Sequence, residues 1–210
     1  MERILVAGAT GTTGKQVIEL LKNDQYFEPV AMVRKPEQVD QFKTNGIETV
    51  LGDLTNDLSH TTNNIDKVIF AAGSKGKNVE EVDKNGAIKL IDESQNATVK
   101  KFVMLSSMGA DNPEQASDLQ EYLKAKQAAD NYLKNSNLNY SIVRPGSLTD
   151  DNSNNKIELQ SKLNKHGEIP RADVAKVLVK ALHDDVANKE TFEIIKGETL
   201  ITDALEPVQQ

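Results

Sequence analysis

Ile4-Leu5-Val6-Ala7-Gly8-Ala9-Thr10-Gly11-Thr12-Thr13-Gly14-Lys15-Gln16-Val17-Ile18 decides the fold of this chain. An apolar run short enough for a buried strand ends in glycines. A helical pattern (Val17, Ile18, Leu20, Leu21) begins directly after them. Strand, glycine turn and helix in this order make the first half of a dinucleotide-binding βαβ unit. Gly8 suits the tight turn out of the strand, and Gly11 lets the backbone approach a pyrophosphate with no Cβ in the way. Gly14 allows the helix to pack closely on the strand. The helix N-terminus offers free N–H groups and partial positive charge to phosphates. Thr10, Thr12 and Thr13 add hydroxyl donors. A glycine triplet alone makes only a turn; its place between an apolar strand and an amphipathic helix makes it a phosphate site.

The next apolar run, Val30 to Val33, ends at Arg34-Lys35, and Pro36 opens a helix at its favoured first position. The adenosine ribose lies at this strand end in such units. A carboxylate there holds the 2′-hydroxyl of NAD, whereas an arginine accommodates the 2′-phosphate of NADP. Arg34 and Lys35 stand there with no acid beside them, so NADP is favoured over NAD. Two cations at a strand end can also be simple solvated surface, and the glycine turn upstream tips the reading.

Further apolar runs predict strands at Ile47–Leu51, Val68–Gly73, Phe102–Leu105, Tyr140–Arg144 and Thr191–Ile195. Helical spacing joins them at 79–97, from Ser117 to Asn135, and at 172–183. Strands alternating with helices predict an α/β fold, a doubly wound, mostly parallel sheet with helices on both faces. Asp53 and Leu54 follow the third strand, and Ala71, Ala72 and Gly73 end the fourth, where a backbone can lie close to a ligand. The 74–78 loop is rich in lysine and glycine and is expected to be mobile. The 147–169 stretch reads as polar and irregular, with a short strand at Ile157–Leu159. No repeat or linker divides the chain, so 1–210 is expected to be a single domain with a small substrate-side insertion at 147–169.

The net charge of −7 argues against nucleic-acid and acidic-membrane partners. With no cysteine there is no disulfide, thiolate metal site or cysteine nucleophile. His60, His166 and His183 have no metal-ligand spacing, so no metal is expected. The chain shows neither a signal peptide at its start nor an apolar run of the ~20 residues that a membrane span needs. A cytoplasmic protein with a small-molecule substrate is expected; its oligomeric state stays open.

A second constellation lies in the long helix, where Tyr122 and Lys126 stand four residues apart on one face. A neighbouring ammonium stabilises a phenolate and suits the phenol to proton transfer. A hydroxyl from Ser107 or Ser106, at the end of the preceding strand, can orient the same substrate oxygen. Such a trio fits hydride transfer to a carbonyl, with tyrosine as the proton donor. Tyrosine and lysine at this spacing are common in helices. Their place one strand and loop after the serines, on the carboxyl side of the sheet, gives the pair its meaning.

These residues together resemble an atypical, short member of the extended short-chain dehydrogenase/reductase superfamily, in the NAD(P)-binding or NmrA-like group, with biliverdin/flavin reductase as a distant relative. The resemblance rests on Gly8 to Gly14, Arg34, Gly52-Asp53-Leu54, Ala71-Ala72-Gly73, Leu105-Ser106-Ser107, Tyr122 with Lys126, Arg144-Pro145-Gly146 and Arg171 to Ala175. It implies a Rossmann sheet of strand order 3-2-1-4-5-6-7 with the cofactor across its carboxyl edge. It implies that Asp53 and Leu54 frame the adenine, that Lys126 also touches the nicotinamide ribose, and that Pro145 and the residues after it lie near the nicotinamide. Two departures stand out. Extended relatives often carry an asparagine where this chain has Asp83, three residues before Gly86. Only the 147–169 insertion and a short tail are available for a substrate, too little for a large sugar nucleotide. The expected function is an NADP-dependent oxidoreductase acting on a small carbonyl or similarly reducible molecule. The alternative is a non-catalytic NAD(P)-binding redox sensor, and less favoured is epimerase or dehydratase chemistry.

Overall fold

The computed structural model describes residues 1–74, 76–116 and 119–206. Glu2–Ala7 forms β1, and α1 follows at Thr12–Lys22 after the glycine turn. Phe27–Val33 is β2, and a 3₁₀ turn at Pro36–Gln38 leads into α2 at Val39–Lys43. β3 is Glu48–Leu51 and β4 Lys67–Phe70. The expected helix at 79–97 divides: Val79–Asn85 winds as a π-helix before α3 continues through Gly86–Asn96. β5 is Lys101–Leu105, α4 is Gln120–Lys134 and β6 is Tyr140–Pro145. The predicted first residue of the long helix, Ser117, lies outside the described residues, as does Lys75 of the loop expected to be mobile.

The 147–169 stretch is more ordered than its composition suggests. It carries β7 at Ser147–Thr149, β8 at Lys156–Gln160 and β9 at Glu168–Pro170. α5 at Arg171–Lys180, β10 at Glu190–Lys196, β11 at Thr199–Leu200 and α6 at Ile201–Ala204 complete the chain.

One sheet runs β3-β2-β1-β4-β5-β6-β10-β8-β11. Its first seven places are the expected 3-2-1-4-5-6-7 order, with β10 as the seventh strand, all paired in parallel. The expected order stops there, and the sheet does not: β8 adds antiparallel to β10 and β11 antiparallel to β8. β7 and β9 form a separate parallel pair. The sheet is covered on both faces, so its central strands are apolar at every position and alternate between two cores. Ile4, Val6, Ile69 and Val103 face α1 and α5, while Leu5, Ala7, Phe70 and Met104 face α3 and α4. Crossing helices put the carboxyl ends of β1 to β6 on one edge of the sheet, where ligands of such folds bind.

Candidate functional site

A cleft of about 670 Å³ opens along that carboxyl edge. Its floor is the glycine turn. Gly8 has φ +89°, in the left-handed region, and a Cβ there would lie 2.6 Å from the backbone of Ala71 and Ala72. A Cβ on Gly14 would run into the Gly8 carbonyl oxygen, so this glycine lets α1 pack on the turn. Gly11 differs: a Cβ would meet only the Gly8 oxygen, at 3.2 Å, and its other side faces the cleft. It is the N-cap of α1, and no side chain caps the helix. The first N–H groups of α1 are thus left for an anion. Gly8, Thr10, Gly11, Thr12 and Thr13 line the cleft, whereas Gly14 acts from behind.

At the end of β2, Arg34 lines the same cleft, and among the described residues no carboxylate lies within ion-pair distance of it. Lys35 is exposed and outside the cleft lining. Gln38, which the motif reading did not single out, shapes this corner: its Oε1 accepts the Arg34 and Lys35 N–H groups at 3.0 and 2.9 Å. Asp53 and Leu54 form the opposite wall. Burial raises the Asp53 carboxyl, but hydrogen bonds from the Thr55 N–H and hydroxyl, with the Arg34 charge, outweigh it and hold the group below its usual range. Leu54 is buried against Gly86, where a Cβ would come within 2.6 Å of the leucine's own.

Ala71, Ala72 and Gly73 line the middle of the cleft. Behind them the π-helix turns Asp83 inward until it is fully buried, and its Oδ2 accepts the Ser74 N–H at 3.0 Å. Its Oδ1 has no hydrogen-bond partner and stands 3.8 Å from the Lys126 Nζ. Lys126 is itself buried and donates to the Leu105 carbonyl at 3.2 Å. Its nitrogen lies 5.6 Å from the centre of the Tyr122 ring, and both side chains line the cleft. α4 therefore delivers the pair to the site as their spacing requires.

The serines separate. Ser106 lines the cleft; Ser107 does not, and its hydroxyl donates to the Met108 carbonyl at 3.2 Å. Ser106 in turn donates its only hydroxyl hydrogen to Asp130 Oδ2 at 2.8 Å. That oxygen also accepts Arg144 Nε at 3.0 Å and pairs with Nη2 at 2.9 Å. Burial pushes the Asp130 carboxyl up, against Arg144 and the serine hydroxyl. Ser106 is left with lone pairs alone to offer a ligand.

Pro145 falls outside this cleft and lines a neighbouring cavity of about 800 Å³, and Leu119 belongs to both. Arg171, at the start of α5, also lines the cleft, held by Asp150 at 2.8 Å and the Leu148 carbonyl at 3.3 Å. The sequence marked Arg171 only as the start of a helix. Its signal was a cation at the first turn of the helix that crosses from β6 to β10, a place that faces the ligand edge.

This set fits a dinucleotide. A glycine cradle without side chains, an arginine at the β2 end with no ion pair among the described residues, and a buried lysine at the far end span the length of the cleft. A family profile described as NAD(P)H-binding matches residues 8–185. A solved structure from Bacillus halodurans, named for an NAD-dependent epimerase/dehydratase, is 38% identical over 97% of this chain and 98% of its own, with a TM-score of 0.92. The Lactococcus lactis oxidoreductase ylbE is 29% identical over 96% and 94% of the two chains, with a TM-score of 0.88. The uncharacterized sugar epimerase YhfK of Bacillus subtilis is 32% identical over 97% of this chain and 98% of its own.

Proposed function

The chain belongs to the NAD(P)H-binding family, and from that premise we propose that it is a cytoplasmic NADP-dependent reductase of the short-chain dehydrogenase/reductase type, acting on a small carbonyl or similarly reducible compound. The observation that carries this reading is the meeting of the glycine turn, Arg34 and the Tyr122–Lys126 pair in one cleft. A bound NADPH supplies hydride. The chain does the rest: the α1 N-terminus takes the pyrophosphate, Arg34 the 2′-phosphate, and Asp53 and Leu54 the adenine. Lys126 holds the nicotinamide ribose and keeps positive charge beside Tyr122, whose phenol gives its proton to the substrate oxygen. Leu119, on the border of the two cavities, marks where the substrate meets the cofactor side.

The test is a binding titration of NADPH against NADH, followed by a turnover screen of aldehydes, ketones, quinones and flavins. A charge-assisted contact to the 2′-phosphate is worth about 1.5–3 kcal/mol, or roughly tenfold to a hundredfold in affinity. NADPH is expected to bind that much more tightly, and Arg34→Ala to erase most of the preference while leaving NADH nearly unaffected. Equal affinities in the unaltered chain would remove the NADP assignment.

A second reading, a dinucleotide sensor without chemistry, draws support from the serines. Ser106 has no hydrogen free to donate, and Ser107 is turned to its own backbone. On that reading Tyr122 and Lys126 only hold ribose, and NADPH binds without any turnover in the screen.

A further inference from the structure

The second cavity lies against the ends of β5 and β6 and is closed by the segment between β8 and β9. Much of its wall is apolar, at Met108, Leu123 and Pro145. One charged group in that wall is almost wholly buried: Glu193 of β10, which is 1% exposed. Sheet register fixes its place, beside Arg144 of β6 and Gln160 of β8. Its Oε2 accepts the Leu163 N–H at 2.7 Å, but among the described residues Oε1 has no hydrogen-bond partner. The nearest cation, Lys162 Nζ, stands 3.4 Å away and is 2.5 Å from Asp111, with its side chain 43% exposed. A buried carboxylate oxygen without a donor costs free energy that packing does not return. A ligand donor is one thing that would return it.

The cations of the wall are already taken. Lys162 serves Asp111, and Lys165 pairs with Glu158 at 2.7 Å. Among the described residues the wall holds no arginine, and Glu168 adds a second carboxylate. The cavity thus keeps a spare acceptor and no spare cation, a poor match for phosphate or carboxylate ligands.

We propose that this cavity is the substrate compartment, and that Glu193 anchors in it an uncharged carbonyl compound bearing an N–H or O–H donor, of the lactam or hydroxyketone class. The inference rests on the reductase reading, since Leu119 joins the cavity to the dinucleotide cleft. Lys162 stays on Asp111 and gives up its longer contact to Oε1 as the donor engages that oxygen. Glu193 is a specificity residue: it touches the substrate away from the reacting carbon.

Three probes of one shape test it. Isatin is a small lactam with an N–H beside its carbonyls, N-methylisatin lacks that donor, and isatin-5-sulfonate adds a fixed anion. Their dissociation constants are measured calorimetrically on the full chain, with and without saturating NADP. A hydrogen bond to a charged acceptor predicts that isatin binds about tenfold or more tightly than N-methylisatin. The want of a spare cation in the wall predicts that the sulfonate, which keeps the N–H, also binds more weakly than isatin. Glu193→Gln keeps an acceptor for the Leu163 N–H and turns its amide NH₂ toward the cavity. It is expected to bring isatin and N-methylisatin close to parity while leaving NADPH affinity unchanged. Parity in the unaltered chain, tighter binding of the sulfonate, or no binding of isatin overturns the inference. A chain that binds no NADPH overturns the reductase reading instead, and the isatin series without NADP still decides the role of Glu193.

Discussion

Lys126 lies in the interior, and among the described residues only a backbone carbonyl is at hydrogen-bond distance, with the Asp83 carboxylate standing off at 3.8 Å. A lysine so placed keeps donors for a ribose and a field for the neighbouring phenol. Tyr122→Phe removes the hydroxyl and leaves the ring packed. If the phenol transfers a proton in the transition state, turnover should fall on the order of a hundredfold, with NADPH affinity almost unchanged. With a substrate in hand, steady-state kinetics and an NADPH titration on the same variant separate the outcomes; retained turnover excludes the tyrosine from proton transfer. The glycines were readable from sequence because their constraint is local. Gly8 must take φ +89° and Gly14 must admit the turn's own carbonyl, with or without a ligand. Ser106 and Ser107 were not separable, since adjacent residues at a strand end face opposite ways and one step of register exchanges them. The buried Asp130 that holds Ser106 comes from the far part of α4, a contact that no spacing announces.

Among the elements, α5 is fixed at both ends. Its start carries Arg171 into the cleft, and the segment after it is tied to the opposite edge of the sheet by two buried lysines. Lys67 of β4 donates to the Leu182 carbonyl at 2.9 Å and pairs with Glu2 and Asp184 at 2.7 and 2.6 Å. Lys101 of β5 donates to the carbonyls of His183 and Val186, at 2.9 and 2.5 Å, and to Asn188 at 2.8 Å. Burial, with the charge of Lys67, pushes the Lys101 amine down to about 8. An unfolded lysine titrates near ~10.4, so between these values the unfolded chain binds more protons and stability rises with pH. The contribution is full above the unfolded value and is lost as pH falls through about 8. Relative to Lys101→Met, the unaltered chain should therefore gain on the order of 1 kcal/mol between pH 7 and 10, read from urea midpoints; the acceptors around the amine offset part of the burial cost. A constant difference across that range would show that the amine keeps its proton. The seven parallel strands were legible because each is an apolar run flanked by turns. β7, β8, β9 and β11 were not, or only in part: they have two to five residues, and β8 finds its partner β10 across more than thirty positions of chain.

Across the whole molecule, a chain of net charge −7 gathers Arg34, Lys126 and Arg171 in one cleft. The anionic dinucleotide is thus drawn to one place on an otherwise repelling surface. A ligand that binds only the folded state at a hundred times its dissociation constant adds about 2.7 kcal/mol. For a chain of this size that is an increase in melting temperature of about 5–10 °C, which a thermal melt with NADPH measures directly; no shift would mean that the cleft does not hold the dinucleotide. The two buried lysines carry this further, into the time domain. Amide hydrogens at the starts of β4 and β5 sit in central strands beside these buried lysines and are expected to exchange with heavy water only when the entire chain opens. Those beside the cleft, at Gly73 and Ser74, are expected to be reached by small local openings. Bound NADPH should then slow deuterium uptake at both ends of the sheet by different laws: the lysine edge by the whole binding free energy, and the cleft edge by however firmly the ligand closes it.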